Sequence, residues 1–136
     1  MAKVFVTYKI PDMGLNLLKE KFEVIINPYD RLLTKDELIK AASNFDALIT
    51  MLADTIDKDV LESGKDRLKI VANYAVGYNN IDFEKAKELG IYVTNTPGVL
   101  TETTADLAWA LMLAISRRIV ESDAFTRSGK FEGWKP

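Results

Sequence analysis

Leu68-Lys69-Ile70-Val71-Ala72, followed by Asn73-Tyr74-Ala75-Val76-Gly77-Tyr78-Asn79-Asn80-Ile81-Asp82, is the stretch on which the fold turns. Its first five residues are a nearly continuous aliphatic run, the composition of a central strand buried on both faces. Its middle is polar and carries Gly77. Asp82 at its end is placed to cap a helix over residues 83–89, with Gly90 at the exit. A strand that passes through a loop into a helix is one step of a parallel sheet wrapped by crossover helices.

The same step recurs outward in both directions. Residues 3–8 (KVFVTY) form a first strand that Ile10-Pro11 ends, and Leu15, Leu17, Leu18 and Phe22 then share one helical face. Residues 22–26 (FEVII) give a second strand. Thr34 and Glu37 have the spacing of a capping box ahead of a helix carrying Leu38, Ile39 and Ala42. Residues 46–51 (DALITM) are a third strand, Asp57 caps a short helix through Leu61, and Gly64 ends it. Residues 91–94 (IYVT) are a fifth strand. Five strands with four helices between them predict an α/β fold, a flavodoxin-like doubly wound parallel sheet over residues 1–100.

After Asn95-Thr96-Pro97-Gly98 the character changes. Thr101 is placed to cap a long apolar helix predicted over residues 101–123, whose middle, Leu107 to Ile115, is apolar on every side. Such a helix needs cover all round, so a second domain or another copy of the chain is expected against it. Residues 124–136 mix Arg127, Lys130, Glu132 and Lys135 with Phe131 and Trp134, and read as a connection.

Composition narrows the chemistry. The 136 residues suffice for one domain, and 48% apolar with 28% charged residues excludes a disordered chain. A net charge of -2 offers no field for a phosphate backbone or an anionic bilayer, so no nucleic acid and no membrane partner is expected. The apolar run at residues 107–115 is also far short of the ~20 residues that span a bilayer. With no cysteine there are no disulfides or thiolate sites, which suits a reducing, cytoplasmic setting. With no histidine, the commonest general acid and metal ligand is missing, so neither a catalytic triad nor a zincin site can be completed by this chain.

In doubly wound sheets ligands bind beyond the carboxyl ends of the strands. The segments to weigh are therefore residues 8–10, 50–54, 73–80 and 95–98. The third is the richest, because Gly77 permits close backbone approach or positive φ, and successive N–H groups there can form a concave nest for a small carboxylate. The alternative is an ordinary strand-to-helix turn. Leu52 is placed to wall such a pocket or to fill the rim, and Lys9 is a loop lysine more readily than a ligand cation. Asp54, Asp57 and Asp59 lack calcium-loop spacing and read as caps and solvent-facing charges. Thr101, Thr103 and Thr104 read as cap and packing residues. Neither G-x-G-x-x-G nor a P-loop occurs.

Several separated motifs nevertheless fall in order: NYAVGYNNID at residues 73–82, GIYVTNTP at 90–97, TADLAWALMLA at 104–114, Arg117-Arg118, and FTRSG at 125–129. Together they resemble the D-isomer-specific 2-hydroxyacid dehydrogenases, with the glyoxylate/hydroxypyruvate reductases as the most similar subgroup. The resemblance implies a substrate-binding domain of an enzyme that reduces a small 2-oxo acid with NAD or NADP. By position it assigns the carboxylate loop to Ala75, Val76 and Gly77, an apolar wall to Leu52, and cofactor contacts to Val76 and Thr104. It makes the helix over 101–123 an interdomain helix in a homodimer, and 124–136 a connection to a nucleotide-binding domain. The family's catalytic arginine, glutamate and histidine, and its glycine-rich motif, belong to that domain. No catalytic residue is therefore expected in this chain, which should be inactive alone. A phosphoglycerate dehydrogenase-type member is the alternative within the family. A stand-alone flavodoxin-like module that dimerises through residues 107–115 is the alternative outside it, though Tyr8-Lys9-Ile10 and Thr50-Met51-Leu52 lack the acidic residues of a phosphorylation receiver.

Overall fold

The computed structural model describes residues 1–134; Lys135 and Pro136, the end of the expected connection, lie outside the described residues. The elements are β1 (Lys3–Val6), α1 (Asp12–Lys19), β2 (Glu23–Ile26), α2 (Lys35–Asn44), β3 (Ala47–Thr50), α3 (Lys58–Ser63), β4 (Ile70–Asn73), α4 (Phe83–Glu88), β5 (Tyr92–Thr94), α5 (Thr101–Ser116) and α6 (Ile119–Arg127). All five strands pair in parallel, in the order β2-β1-β3-β4-β5. That is the flavodoxin-like order expected from the alternation of strands and helices. The chain divides into two compact units, Met1–Gly98 and Val99–Pro136.

In the first unit the period-two alternation of a pleated strand decides which residues are buried. Leu48 and Val71, with Phe5 and Val93 partly covered, face α2, α3 and α4 and pack with Leu38, Ala42, Val60, Leu61 and Ala86. The opposite face carries Val6, packed with Leu15 of α1 and with Ile49. The imbalance follows from crossover handedness: the step from β1 to β2 runs one way across the sheet and the later steps run the other. One helix therefore covers one face and three cover the other.

That arrangement corrects the reading of residues 68–72 as a strand buried on both faces. The strand is Ile70–Asn73, and Ile70 and Ala72 are only half-buried, beside an apolar groove of about 290 Å³ that also runs along Ala47 and Ile49. Leu68 is buried in the turn before it, against Gly64; a Cβ at Gly64 would lie 2.8 Å from Leu68 Cβ and 2.9 Å from the Ala42 carbonyl oxygen. Glycine there lets α2 and α3 approach closely.

The helix starts in this unit follow their caps. Thr34 and Glu37 form the reciprocal capping box, with Glu37 N–H donating to Thr34 Oγ1 at 3.3 Å and Thr34 N–H donating to Glu37 Oε2 at 2.8 Å. Asp57 accepts from the N–H groups of Asp59 and Val60, and Asp82 accepts from Lys85 N–H. Gly90 leaves α4 at φ +70°, a left-handed turn that needs glycine.

The second unit departs from expectation in two ways. The helix predicted over 101–123 is two helices, α5 ending at Ser116 and α6 continuing to Arg127, with Arg118 left-handed at φ 51° between them. Arg118 N–H bonds back to Ile115 O, which tightens and ends the first helix, and Ser122 N–H bonds to Arg118 O to begin the second. No proline or glycine marks this break. Nor does Thr101 cap α5: the N-cap is Leu100, without a side-chain cap, and Thr103 Oγ1 donates to Leu100 O. No residue of α5 or α6 is buried, so the threonines are not packing residues within this unit.

Candidate functional site

The register of the sheet places a row of polar residues just beyond the apolar one. Phe5, Leu48 and Val71 line the core, and two residues further along each chain stand Thr7, Thr50 and Asn73, at the carboxyl ends of β1, β3 and β4. All three are buried. Buried polar groups must be hydrogen-bonded to be tolerated, and each of these is. Thr50 Oγ1 donates to Asn73 Oδ1 at 2.9 Å, and Thr7 Oγ1 donates to a carboxylate oxygen of Asp54.

Asp54 corrects the reading of the acidic cluster. Asp57 and Asp59 are partly exposed and clasp Lys35, raising its pKa through hydrogen bonds and charge. Asp54, by contrast, is 2% exposed, and its Oδ2 also accepts from Met51 N–H at 2.8 Å. Its Oδ1 is buried without a partner. No group of acidic side chains among the described residues is arranged to hold a metal ion.

The loop after β4 is held from two sides by its carbonyl oxygens. Ala75 O accepts from Thr96 N–H at 2.9 Å, Val76 O accepts from Asn95 Nδ2 at 2.7 Å, and Gly77 O accepts from Asn73 Nδ2 at 2.9 Å. Among the described residues, the N–H groups of Ala75, Val76 and Gly77 donate to no protein acceptor. The loop is therefore a run of satisfied acceptors and open donors, which is what a backbone anion site requires. Gly77 is not left-handed, so its role is close approach: a Cβ there would come within 3.3 Å of Asn79 Oδ1 and 3.9 Å of Leu52 Cδ1. The same geometry brings Leu52, 53% exposed at the end of β3, against the loop.

Other candidates stand apart from this loop. Lys9 is exposed and makes no ion pair among the described residues. Tyr8 donates its hydroxyl to Asp30 Oδ1 at 2.8 Å, and that hydrogen bond with the adjacent negative charge raises the phenol's pKa. Thr104, in the second unit, is exposed on the first turn of α5.

The family model of the D-isomer specific 2-hydroxyacid dehydrogenase catalytic domain matches residues 4–129. The chain belongs to this dehydrogenase family. A glyoxylate reductase of Thermococcus kodakarensis is 52% identical over 138 residues, covering 98% of this chain and 41% of the relative. A crystal structure of a Thermus thermophilus protein superposes with a TM-score of 0.89 at 44% identity, covering 98% of this chain and 43% of that one. An acyclic imino acid reductase in complex with NADPH and D-Arg superposes with a TM-score of 0.83 at 25% identity, covering 98% of this chain and 43% of that one. The chain thus spans about two-fifths of the length of the relatives it matches.

Sequence reasoning reached Leu52, Ala75, Val76 and Gly77, and the structure brings them together. It missed Asp54, Asn73, Asn80 and Asn95 as the groups that fix their positions. Part of the signal was present: Thr7, Thr50 and Asn73 each stand two residues after a core position, where a strand's inward face continues past its last apolar residue. No helix among the described residues is long and apolar enough to cross a membrane.

Proposed function

We propose that this chain is the substrate-binding part of a 2-hydroxyacid dehydrogenase that reduces a small 2-oxo acid, glyoxylate or hydroxypyruvate, to the D-2-hydroxy acid with NAD(P)H. The observation that carries the reading is the loop at residues 75–77, with every carbonyl bonded inward and every N–H open. A substrate carboxylate accepts from those N–H groups in charge-assisted hydrogen bonds, and Leu52 closes one side against the short carbon chain. No cationic side chain is needed for this, because the open N–H dipoles already favour an anion.

Reduction takes up two electrons as hydride and one proton: NAD(P)H supplies the hydride, and an acid must supply the proton to the former carbonyl oxygen. Among the described residues no glycine-rich turn opens a helix, and the cofactor contacts of Val76 and Thr104 rest on the family resemblance. No histidine is present to protonate the oxygen. As in the family it belongs to, cofactor and acid come from elsewhere in the full polypeptide, through an arginine, glutamate and histidine of a nucleotide-binding domain toward which residues 124–136 connect. The apolar α5, with Trp109 64% exposed, is the surface for that domain and for a second copy in a homodimer, and the enzyme works in the cytoplasm.

The test is kinetic. The 136-residue chain alone is expected to oxidise no NADH or NADPH with glyoxylate, and turnover by it would overturn the division of labour. In the native full-length polypeptide, Gly77→Val fills the nest and is expected to raise KM for glyoxylate by about tenfold or more, the loss of roughly 1.4 kcal/mol or more of binding. An unchanged KM would refute the carboxylate loop.

A further inference from the structure

The substrate loop and its apolar wall lie on different strands, and one side chain spans the space between them. Asn80 Nδ2 donates to Met51 O at 3.2 Å and to Asp54 O at 2.9 Å, bracketing the turn that carries Leu52. Its Oδ1 accepts from Asn73 Nδ2 at 3.0 Å, and the same Asn73 nitrogen donates to Gly77 O at 2.9 Å. The backbone repeats the link, with Ile56 N–H donating to Asn80 O and Asp82 N–H to Ile56 O, both at 2.9 Å. The far side of the turn is held by Asp54, whose carboxylate takes the Thr7 hydroxyl and Met51 N–H. Every polar group of the Asn80 amide is thus spent on holding two loops, and none is left to touch a substrate.

We propose that Asn80 is a positioning residue that sets the distance between the Leu52 wall and the Gly77 nest, and so tunes the affinity for the 2-oxo acid. The proposal rests on the reading of residues 75–77 as the carboxylate loop. The chemistry requires an amide: one end must donate to two carbonyls while the other accepts from Asn73. A carboxylate there would face the Met51 and Asp54 carbonyl oxygens with no proton to give, and would push the Leu52 turn away. A serine is too short to reach across.

The experiment uses the native full-length polypeptide with Asn80→Asp and Asn80→Ser. Each is expected to raise KM for glyoxylate about fivefold to tenfold while kcat and the KM for NAD(P)H stay within about twofold, the pattern of lost binding rather than lost chemistry. In a Leu52→Ala background the Asn80→Asp change should add little further, because both changes remove the same wall; the non-additivity reports the coupling. A parallel fall in kcat and rise in both KM values, an additive double mutant, or failure of both variants to fold would each overturn a positioning role. Gly77→Val separates the two levels. If it leaves KM for glyoxylate unchanged, the carboxylate loop itself is refuted; if it raises KM while the Asn80 variants do not, only the positioning role falls.

Discussion

The two units of this chain use apolar residues in opposite ways. In Met1–Gly98 the apolar side chains converge: Leu48, Ile56, Val60, Leu61 and Val71 are fully buried against one another. From Val99 onward the apolar density is as great, yet Leu107, Leu111, Met112, Leu113 and Ile115 are each more than half exposed. The first unit carries its own source of stability. The second has a helix whose stretch over residues 107–115 is apolar all the way round and yet unburied, so its apolar side chains contribute little to the stability of that unit by itself.

The sharpest way to break that contrast is a matched pair of truncations. Leu48→Ala is expected to destabilise the first unit by ~2–5 kcal/mol, through lost transfer energy and a cavity in a packed core. Leu111→Ala in the chain by itself should change unfolding by no more than ~0.5 kcal/mol, the range of an exposed site. Chemical denaturation measures both, and similar values for the two would erase the distinction.

Smaller effects sharpen the account of the first unit. Gly64→Ala should cost ~1–3 kcal/mol, because the added methyl meets the Ala42 carbonyl and Leu68, and overpacking is relieved only by parting α2 from α3. Thr34→Ala should cost ~1 kcal/mol by removing the acceptor for Glu37 N–H at the start of α2. An unchanged melting temperature in either variant would refute its assignment.

The smallest effect is one of pH. Arg31 hydrogen bonds, followed by the Thr34 N–H, hold the Glu37 carboxyl down to about 2 from its ordinary 4.5. A carboxyl lowered on folding stabilises the fold above its ordinary pKa and loses that contribution as the pH falls toward the folded value. Stability should therefore decline between about pH 4.5 and pH 2, only slightly because the group is exposed and screened, and Glu37→Gln should flatten the decline. A melting curve equally steep in the variant would assign the decline to other groups.

What was legible in the sequence was whatever depends on local spacing. The alternation of aliphatic runs with capped helices is written in Thr34 and Glu37, in Asp57 and in Asp82, and each cap forms because its partner lies two or three residues away. Residues 73–80 stood out as a candidate loop for the same reason, since a glycine in a polar stretch after an apolar strand permits close backbone approach there, while the choice of Ala75, Val76 and Gly77 within it came from the family resemblance. The break at Arg118 was not, because no residue type demands it: the left-handed turn comes from how the first helix closes on Ile115.

The sequence by itself determined the alternation of strands and helices, a candidate loop at residues 73–80, and the absence of histidine and of a glycine-rich dinucleotide turn. Only the tertiary structure decided that Asp54 is buried rather than solvated, that Leu52 stands against Gly77, and that Asn80 joins their loops. The physical reason is range. Caps and strand periodicity act over a few residues, whereas the contacts that shape the site join positions 47 and 26 residues apart, and only the register of the sheet brings those together.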